Sequence, residues 1–203
     1  MIYIVNYGLG NLNSIRNIIK KIGGESKIID DVKEWKDAKK LILPGIGAFD
    51  HGMQFLNERG WVNDLNEAVL VKKTPVLGIC LGMQLMCKGS EEGVLPGLGW
   101  FDADVKRFRL APDSPFKIPH MGWNAVHVKK QNPLIEKKEE EQRFYFVHSY
   151  HAVCNNPADE LLSAVHGYEF TAAISHENIY ATQFHPEKSH RFGMDLLKHF
   201  IAI

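Results

Sequence analysis

The sequence predicts an α/β fold: one domain over residues 1–203, with a mostly parallel central sheet flanked by helices and an added antiparallel region. In the first third of the chain, short apolar strands alternate with amphipathic helices, as in parallel sheets with helical crossovers. From about Gly97 onward, short segments rich in aromatic and β-branched residues are separated by turn signals, which is typical of antiparallel strands. A length of 203 residues suits one domain with a substantial core.

The parallel half begins with an apolar strand at residues 2–6, closed by the turn Tyr7-Gly8-Leu9-Gly10-Asn11. Apolar residues then recur at helical spacing from Leu12 to Ile22, and Gly23-Gly24 ends that helix. The other elements of this half are strands at 26–29, 40–43 (ended by Pro44) and 75–79, and helices at 49–57, 62–72 and 83–88.

The antiparallel region follows, and we expect it to extend the same sheet. Its candidate strands are the segments 99–108, 123–129, 143–148 and 161–166. A last strand at 179–184 is broken by His185-Pro186. The chain then closes with a helix that places Phe192, Leu196, Phe200 and Ile203 on one face.

Charge and cysteine content narrow the function classes. The 24 basic and 24 acidic side chains cancel, which gives no electrostatic reason to expect a nucleic-acid binder. The start of the chain lacks the features of a signal peptide, and no apolar run reaches the ~18 residues of a membrane span. Three widely spaced cysteines (Cys80, Cys87 and Cys154) favour neither a disulfide framework nor a zinc site. We therefore expect a cytoplasmic protein.

A nucleophile elbow is the sharpest local signal. Gly78-Ile79-Cys80-Leu81-Gly82 places a cysteine between two glycines, after an apolar strand and before a helix. Glycines on both sides allow a tight turn with little crowding, and the helix start favours the thiolate. The N–H of Leu81 is then placed to stabilise an oxyanion. We expect Cys80 to be a nucleophile.

A cysteine nucleophile needs a base and a group that orients the base. Among ten histidines, His185 is the best candidate, since it lies just past a strand end, where parallel sheets present their ligands. Glu187 is two residues away, and in an extended chain the two side chains project to the same side. His148 and His151 have metal-type spacing but no acidic or cysteine partner, so we expect no metal there. We expect His166 to be a surface residue or one whose hydrogen bonds are satisfied.

Two glycines at Gly45 and Gly47 follow the third strand and let the backbone approach a ligand closely. Phosphate binding is the competing interpretation. Neither Gly45-Ile46-Gly47 nor Gly8-Leu9-Gly10 completes the dinucleotide fingerprint, and no phosphate-binding loop with Gly-Lys-Ser/Thr is present. We therefore expect no nucleotide cofactor.

Together these motifs resemble class I (triad) glutamine amidotransferases. Other motifs resemble the glutaminase subunits of imidazole glycerol phosphate synthases: Asn6 to Asn11, Gly97 to Trp100, Pro119 to Asn124, His148 to Tyr150, and Glu187 to Ser189. The resemblance spans nearly the whole chain, in order, and implies a class I glutamine amidotransferase-like fold over residues 1–203. It also implies that glutamine is hydrolysed to glutamate and ammonia by Cys80, His185 and Glu187.

The resemblance implies further roles. The residues expected to bind substrate are Gly45, Gly47, Leu81, Gln84, Ser149 and Tyr150. A (β/α)8 barrel cyclase is the implied partner in a heterodimer, using the ammonia to make imidazole glycerol phosphate and AICAR in histidine biosynthesis. The residues expected to contact it are Asn11, His120, Met121, Gly122, Trp123, Asn124 and Lys188. No cofactor and no metal are implied.

Two alternatives stay open. Ala181, His190 and His151 depart from the expected pattern, and the segment after Ser189 resembles subunits that supply ammonia to surface-sugar amidination enzymes. A stand-alone cysteine hydrolase on the same fold is the alternative from another class. The motif from His120 to Asn124 argues against it, because a lone hydrolase has no need of that segment.

Overall fold

The computed structural model describes residues 1–35, 38–136 and 138–203. The strands are, in chain order, β1 (Ile2–Val5), β2 (Ser26–Ile29), β3 (Leu41–Gly45), β4 (Val76–Cys80), β5 (Gly89–Ser90), β6 (Ala103–Arg107), β7 (His120–Ala125), β8 (His127–Val128), β9 (Arg143–His148), β10 (Tyr150–Cys154), β11 (Glu160–His166), β12 (Tyr168–His176) and β13 (Ile179–Thr182). The α-helices are α1 (Leu12–Lys21), α2 (Phe49–Glu58), α3 (Trp61–Asn66), α4 (Leu81–Leu85) and α5 (His190–Ala202). Within these ranges no helix is long and apolar enough to cross a membrane.

The central sheet has the order β2-β1-β3-β4-β13-β12-β10-β6-β5, and the strands from β2 to β13 are all parallel. This confirms the α/β class predicted from the alternation of strands and helices. Every residue of β3 and β4 is buried, as expected for strands that are covered on both faces.

Helices cover the two faces of the sheet and form two cores. On one face, Ile15 and Ile19 of α1 and Leu196 and Phe200 of α5 pack in one cluster. On the other face, apolar residues of α2, α3 and α4, such as Trp61, pack in a second cluster. The two-sided cover buries the central strands and leaves their carboxyl ends free to carry a site.

The antiparallel region is partly as predicted. β12, β10 and β6 extend the central sheet, and β11 and β8 pair at the side of β12. The expectation that all these segments join one sheet is wrong for β7 and β9, which form a separate two-stranded sheet. β9 alternates buried and less buried residues, so its aromatic face packs on the main sheet as a second layer. Phe144 of β9 stacks on Phe184 with ring centroids 4.0 Å apart.

Three predicted boundaries need correction. β3 continues through Pro44 to Gly45, because its pairing with β1 ends at Ile42 and the last residues pair with β4 alone. The helix expected at 83–88 is α4, which begins earlier and ends at Leu85. The helix expected at 62–72 is divided into α3 and a π-helical turn, Glu67–Val71.

Candidate active site

At Cys80 the chain turns sharply from a strand into a helix, with no linker between the two elements. β4 ends at Cys80 and α4 begins at the next residue. Cys80 has φ +54° and ψ −110°, a backbone conformation that residues with a side chain rarely adopt. The turn holds the thiol at the carboxyl end of the sheet, where Cys80 is 8% exposed. This is the geometry of a nucleophile elbow.

The flanking glycines of the elbow provide space. A Cβ at Gly78 would lie 2.8 Å from Sδ of Met86 and 3.0 Å from the backbone nitrogen of Met83. A Cβ at Gly82 would overlap the carbonyl oxygen of Leu43 in the neighbouring strand. At Gly82 a larger residue would push α4 away from the neighbouring strand, because the overlap is with backbone, whereas at Gly78 the closest atoms belong to the far end of the Met86 side chain.

His185 is brought to Cys80 by the parallel pairing of two adjacent strands. β13 lies beside β4, with Thr182 opposite Ile79, and His185 follows three residues later. Its N–H donates to the carbonyl of Tyr145 at 2.9 Å, and its own carbonyl accepts from Oγ of Ser189 at 2.6 Å. These bonds fix the backbone of His185 on both sides.

Glu187 holds the imidazole of His185. Oε1 of Glu187 lies 2.7 Å from Nδ1 of His185, and the two side chains are 2% and 3% exposed, respectively. The contact was predicted, but the reason given for it is wrong, because the chain is not extended here. Pro186–Lys188 forms a 3₁₀ turn, which brings the two side chains together.

The charge state of His185 is set by its neighbours. Burial alone lowers the pKa of His185, but the Cys80 side chain and the Glu187 carboxylate outweigh it and raise the pKa to about 9. Within the described residues, Nε2 of His185 has no hydrogen-bond partner, and neither has Oε2 of Glu187. The free Nε2 can exchange a proton with the thiol or with a substrate.

Cys80 and His185 open into a cleft of about 330 Å³. This volume suits a ligand at the small end of the range for binding pockets. Five residues predicted to bind substrate line the cleft: Gly47, Leu81, Gln84, Ser149 and Tyr150. Gly45 lies beneath it, opposite Cys80 in the register of β3 and β4, and a Cβ there would overlap Oη of Tyr7.

Three further polar residues at or beside the cleft were given no substrate role from the sequence: His148 and Glu92 line it, and the buried Gln183 bonds to Gln84. Gln183 accepts from Nε2 of Gln84 at 3.1 Å, and its own Nε2 lies 3.8 Å from Sγ of Cys80. Its place two residues before His185 is the only signal that could have found it. Glu92 lines the cleft from an exposed loop, where its carboxylate accepts from the N–H of Phe49 at 2.9 Å, and no sequence pattern marks it.

The residues predicted to contact a partner divide into three groups by exposure. Asn11 and Lys188 are exposed, as are Met121 (62%) and Trp123 (41%), whereas Gly122 and Asn124 are half-buried. His120 is only 5% exposed and turns its side chain into the protein, so its side chain is not part of an outer surface. His190, for which no role was predicted, stacks on Trp123 with ring centroids 5.4 Å apart.

Known proteins resemble the chain over its full length. The glutamine amidotransferase class-I family model matches residues 3–203. Imidazole glycerol phosphate synthase subunit HisH 2 of Pseudomonas aeruginosa is 48% identical, with 100% of both chains covered. The protein of the same name from Methanococcus maripaludis is 50% identical, covering 99% of this chain and 98% of that protein.

Solved structures share the fold at low sequence identity. A protein from Thermoplasma acidophilum that is described as a GMP synthase component superposes with a TM-score of 0.73 at 23% identity, covering 99% of this chain and 92% of that one. A glutamine amidotransferase from Thermotoga maritima gives a TM-score of 0.61 at 19% identity, covering 99% and 80%.

Proposed function

Because the chain belongs to the class-I glutamine amidotransferase family, we propose that it hydrolyses glutamine to glutamate and ammonia with Cys80, His185 and Glu187. One observation carries the proposal: a strained cysteine and a buried His–Glu pair meet in one cleft. Cysteine hydrolases need this arrangement of nucleophile, base and orienting carboxylate.

The proposed reaction has two stages. The thiolate of Cys80 attacks the side-chain amide carbon of glutamine, and His185 gives a proton to the departing ammonia. His185 then accepts a proton from water, which attacks the thioester and releases glutamate. Throughout both stages Glu187 keeps the imidazole oriented through Nδ1.

The oxyanion needs two donors in this proposal. The N–H of Leu81, the first residue of α4, is one of them. The second is the N–H of Gly47, after the backbone of its loop adjusts. Gly47 has φ +103° and no atom within 4 Å of a built Cβ, so its peptide has room to rotate.

The amino-acid end of glutamine would lie at the other side of the cleft. Gln84 and the backbone at Ser149 and Tyr150 line this side, and we assign them to the substrate's polar groups. Glu92 at the rim offers a carboxylate for the ammonium group.

We propose that the ammonia passes to a (β/α)8 barrel cyclase, which makes imidazole glycerol phosphate and AICAR in histidine biosynthesis, in the cytoplasm. The relatives at 48% and 50% identity are named as synthase subunits, which supports a two-protein enzyme. The docking surface we propose consists of Asn11, Met121, Trp123, Lys188 and His190. It is continuous, because His190 stacks on Trp123 and also lines a cleft with Lys188 and Ser14 of α1.

A sugar-amidination enzyme is the second candidate partner. This chain has His190 on the proposed docking surface, where the expected pattern has glutamine. With either partner this chain would perform the same glutaminase chemistry, and only the substrate that accepts the ammonia would differ.

The test is a glutaminase assay on the chain alone and with each candidate partner. We expect slow turnover alone and a large rise with the barrel cyclase and its nucleotide substrate. A rise only with the sugar-amidination enzyme would assign the second partner. High turnover of a peptide without any partner would instead indicate a stand-alone hydrolase. Cys80→Ala should abolish hydrolysis, whereas Cys154→Ala, at a half-buried cysteine outside the cleft, should keep it.

A further inference from the structure

Four buried histidines surround one phenylalanine beside the cleft, and one of them, His148, lines the cleft. His120, His148, His151 and His166 are 5–7% exposed, and each ring lies within 6.3 Å of the ring of Phe108. In the described part of the chain, no three His, Cys, Asp or Glu residues are arranged to hold a metal ion. Two of the four histidines bond to each other.

A chain of hydrogen bonds runs through these two. Nδ1 of His120 lies 2.9 Å from Nε2 of His148, directly across β7 and β9. Nδ1 of His148 lies 2.7 Å from the carbonyl oxygen of Tyr150. At the other end, Nδ2 of Asn124 lies 3.2 Å from Nε2 of His120 and donates to the carbonyl of Val165 at 2.8 Å. We call Asn124, His120 and His148 the histidine relay.

The proton positions in the relay follow from its two ends. A carbonyl oxygen only accepts, so Nδ1 of His148 carries hydrogen and a neutral His148 accepts at Nε2. Nδ1 of His120 must then be the donor, which leaves its Nε2 as an acceptor. The amide nitrogen of Asn124 supplies that hydrogen. Every bond of the relay is therefore satisfied in one direction, from Asn124 to the carbonyl of Tyr150.

Burial keeps the two rings neutral. It lowers the pKa of His120 to about 4, and it lowers the pKa of His148 well below the ordinary value of 6.5. A second proton on either ring would place two N–H groups face to face in a hydrogen bond of the relay. The relay is thus kept in one protonation state near neutral pH.

One end of the relay lies on the strand that carries the docking surface. Along β7, Met121 and Trp123 point outward, while His120 and Asn124 point inward. The side chains of His120 and Asn124, four residues apart on the inward face of β7, meet each other across Gly122, which has φ +124°.

The other end of the relay holds the wall of the cleft. The carbonyl of Tyr150 accepts from His148 and also from Nε2 of Gln84, at 3.2 Å. Ser149 and Tyr150 line the cleft, and Gln84 leads through Gln183 to Sγ of Cys80. A shift of β7 can therefore reach the wall of the substrate cleft through a continuous series of hydrogen bonds.

We propose that Asn124, His120 and His148 are positioning residues that set the backbone at Ser149 and Tyr150 for glutamine, and that docking on β7 acts on the cleft through them. The inference rests on the proposed function, since it assigns the relay to the glutamine cleft and to the docking surface. His120 touches no substrate in this scheme and acts through His148.

The first test does not need activity. Nitrogen-15 NMR of the histidine side chains in the whole chain should show His120 and His148 as neutral rings with hydrogen on Nδ1, down to about pH 5. His120→Phe should remove the hydrogen-bonded signal pattern of His148. Hydrogen on Nε2 of either ring, or titration of either near pH 6.5, would overturn the proposed relay.

The second test measures glutamine hydrolysis with and without the partner. His120→Phe removes both bonds of His120, and we expect KM for glutamine to rise about fivefold to tenfold, with kcat nearly unchanged, the size expected for one lost hydrogen bond. The gain in kcat/KM on adding the partner should fall by about fivefold as well.

Two variants separate positioning from packing. His120→Asn keeps an amide donor at the place of Nδ1, so KM should return toward the wild-type value. His166→Phe is the matched control, because His166 is equally buried and stacks on His120, yet it donates to the carbonyl of Lys117 outside the relay. It should leave KM and the response to the partner unchanged.

The outcomes distinguish the two proposals. A wild-type chain that hydrolyses no more glutamine than Cys80→Ala, with any partner, would contradict the proposed function, while the NMR result would still decide the proton positions. A wild-type chain that is active but whose KM and partner response are unchanged by His120→Phe would contradict the inference alone. Equal effects of His120→Phe and His166→Phe would also overturn it.

Discussion

Cys80 is held in an unfavourable backbone conformation because the elements on both sides of it are fixed. β4 is buried between two parallel strands, and α4 packs directly against Leu43 through Gly82. Backbone strain of this kind persists only when the surrounding structure holds it. The strained turn places the thiol of Cys80 in the cleft, whereas the thiols of Cys87 and Cys154 lie outside it. We therefore expect Cys80 to react differently from the other two cysteines.

Iodoacetamide should therefore label Cys80 selectively in the native chain at neutral pH. Burial raises the pKa of the Cys87 thiol strongly and raises the pKa of the Cys154 thiol to about 12, so neither forms a thiolate under these conditions. Peptide mass spectrometry would locate the label. Cys80→Ala should remove the fast phase of labelling, and fast labelling of Cys87 or Cys154 would contradict this assignment of the reactive thiol.

Glu187→Gln should lower the pKa of His185 from its value of about 9, because the amide carries no charge to stabilise the imidazolium. The pH dependence of Cys80 alkylation would report the change. We expect kcat/KM for glutamine to fall by roughly 10⁴, the loss typical of replacing the orienting carboxylate of a triad by its amide. Glu177→Gln, at an exposed carboxylate that pairs with Lys73 outside the cleft, is the control for loss of one negative charge. An unchanged alkylation profile in Glu187→Gln would show that Glu187 does not set the charge of His185.

At the residue scale, the sequence could predict what a short motif encodes. Cys80 lies between two glycines after an apolar strand, and His185 and Glu187 are two residues apart, so their contact follows from the local chain. Gln183 and His148 could not be predicted in the same way. Their roles depend on partners that are distant in the sequence, as in the pairing of His120 with His148 across two strands.

At the element scale, the junction of β4 and α4 depends on close backbone packing. Gly82→Ala should lower the free energy of unfolding by about 1–3 kcal/mol, because the added Cβ overlaps the carbonyl of Leu43 and the helix must shift. Glutaminase activity should fall as well, since the shift moves Cys80. Urea denaturation would measure the change in the free energy of unfolding.

The matched control for Gly82→Ala is Gly89→Ala. No atom of the described residues lies within 4 Å of a built Cβ at Gly89, so we expect a change in unfolding free energy within about 0.5 kcal/mol. Equal destabilisation by the two substitutions would show that the loss of glycine itself, and not the overlap with Leu43, is what matters.

Strands and helices of the parallel half were predictable because each has its own pattern of apolar residues. The strands of the antiparallel half were less predictable from the sequence. β10 follows β9 after a single residue, Ser149, and changes from one sheet to the other at that point, which no periodicity marks. The assignment of β7 and β9 to a second sheet likewise depends on the contact of Phe144 with Phe184 and not on local pattern.

At the scale of the whole molecule, the buried histidines should give the stability a maximum near pH 6.5. The pKa of His120 is lowered from 6.5 to about 4, so its contribution is complete above pH 6.5 and is lost as the pH falls toward 4. The pKa of His185 is raised to about 9, so its contribution is complete below pH 6.5 and is lost as the pH rises toward 9. For His120 the loss is on the order of 3 kcal/mol.

Urea denaturation from pH 4 to 9 would measure both limbs of this profile. His120→Phe should flatten the acid limb, and Glu187→Gln should flatten the alkaline limb. The residual acid slope in His120→Phe comes from His148 and His151, whose pKa values burial also lowers. A stability that rises steadily from pH 4 to 9 would contradict the opposite signs assigned to these groups.

The stacking of Trp123 on His190 gives the chain a built-in optical probe. The other three tryptophans, Trp35, Trp61 and Trp100, are at most 7% exposed, whereas Trp123 is 41% exposed. Fluorescence from this chain therefore contains one emitter in contact with water, beside an imidazole that quenches it more strongly when protonated. Iodide in the solvent would reach that emitter selectively. The unlabelled, wild-type protein can thus signal, through its own light emission, when the face of β7 becomes covered.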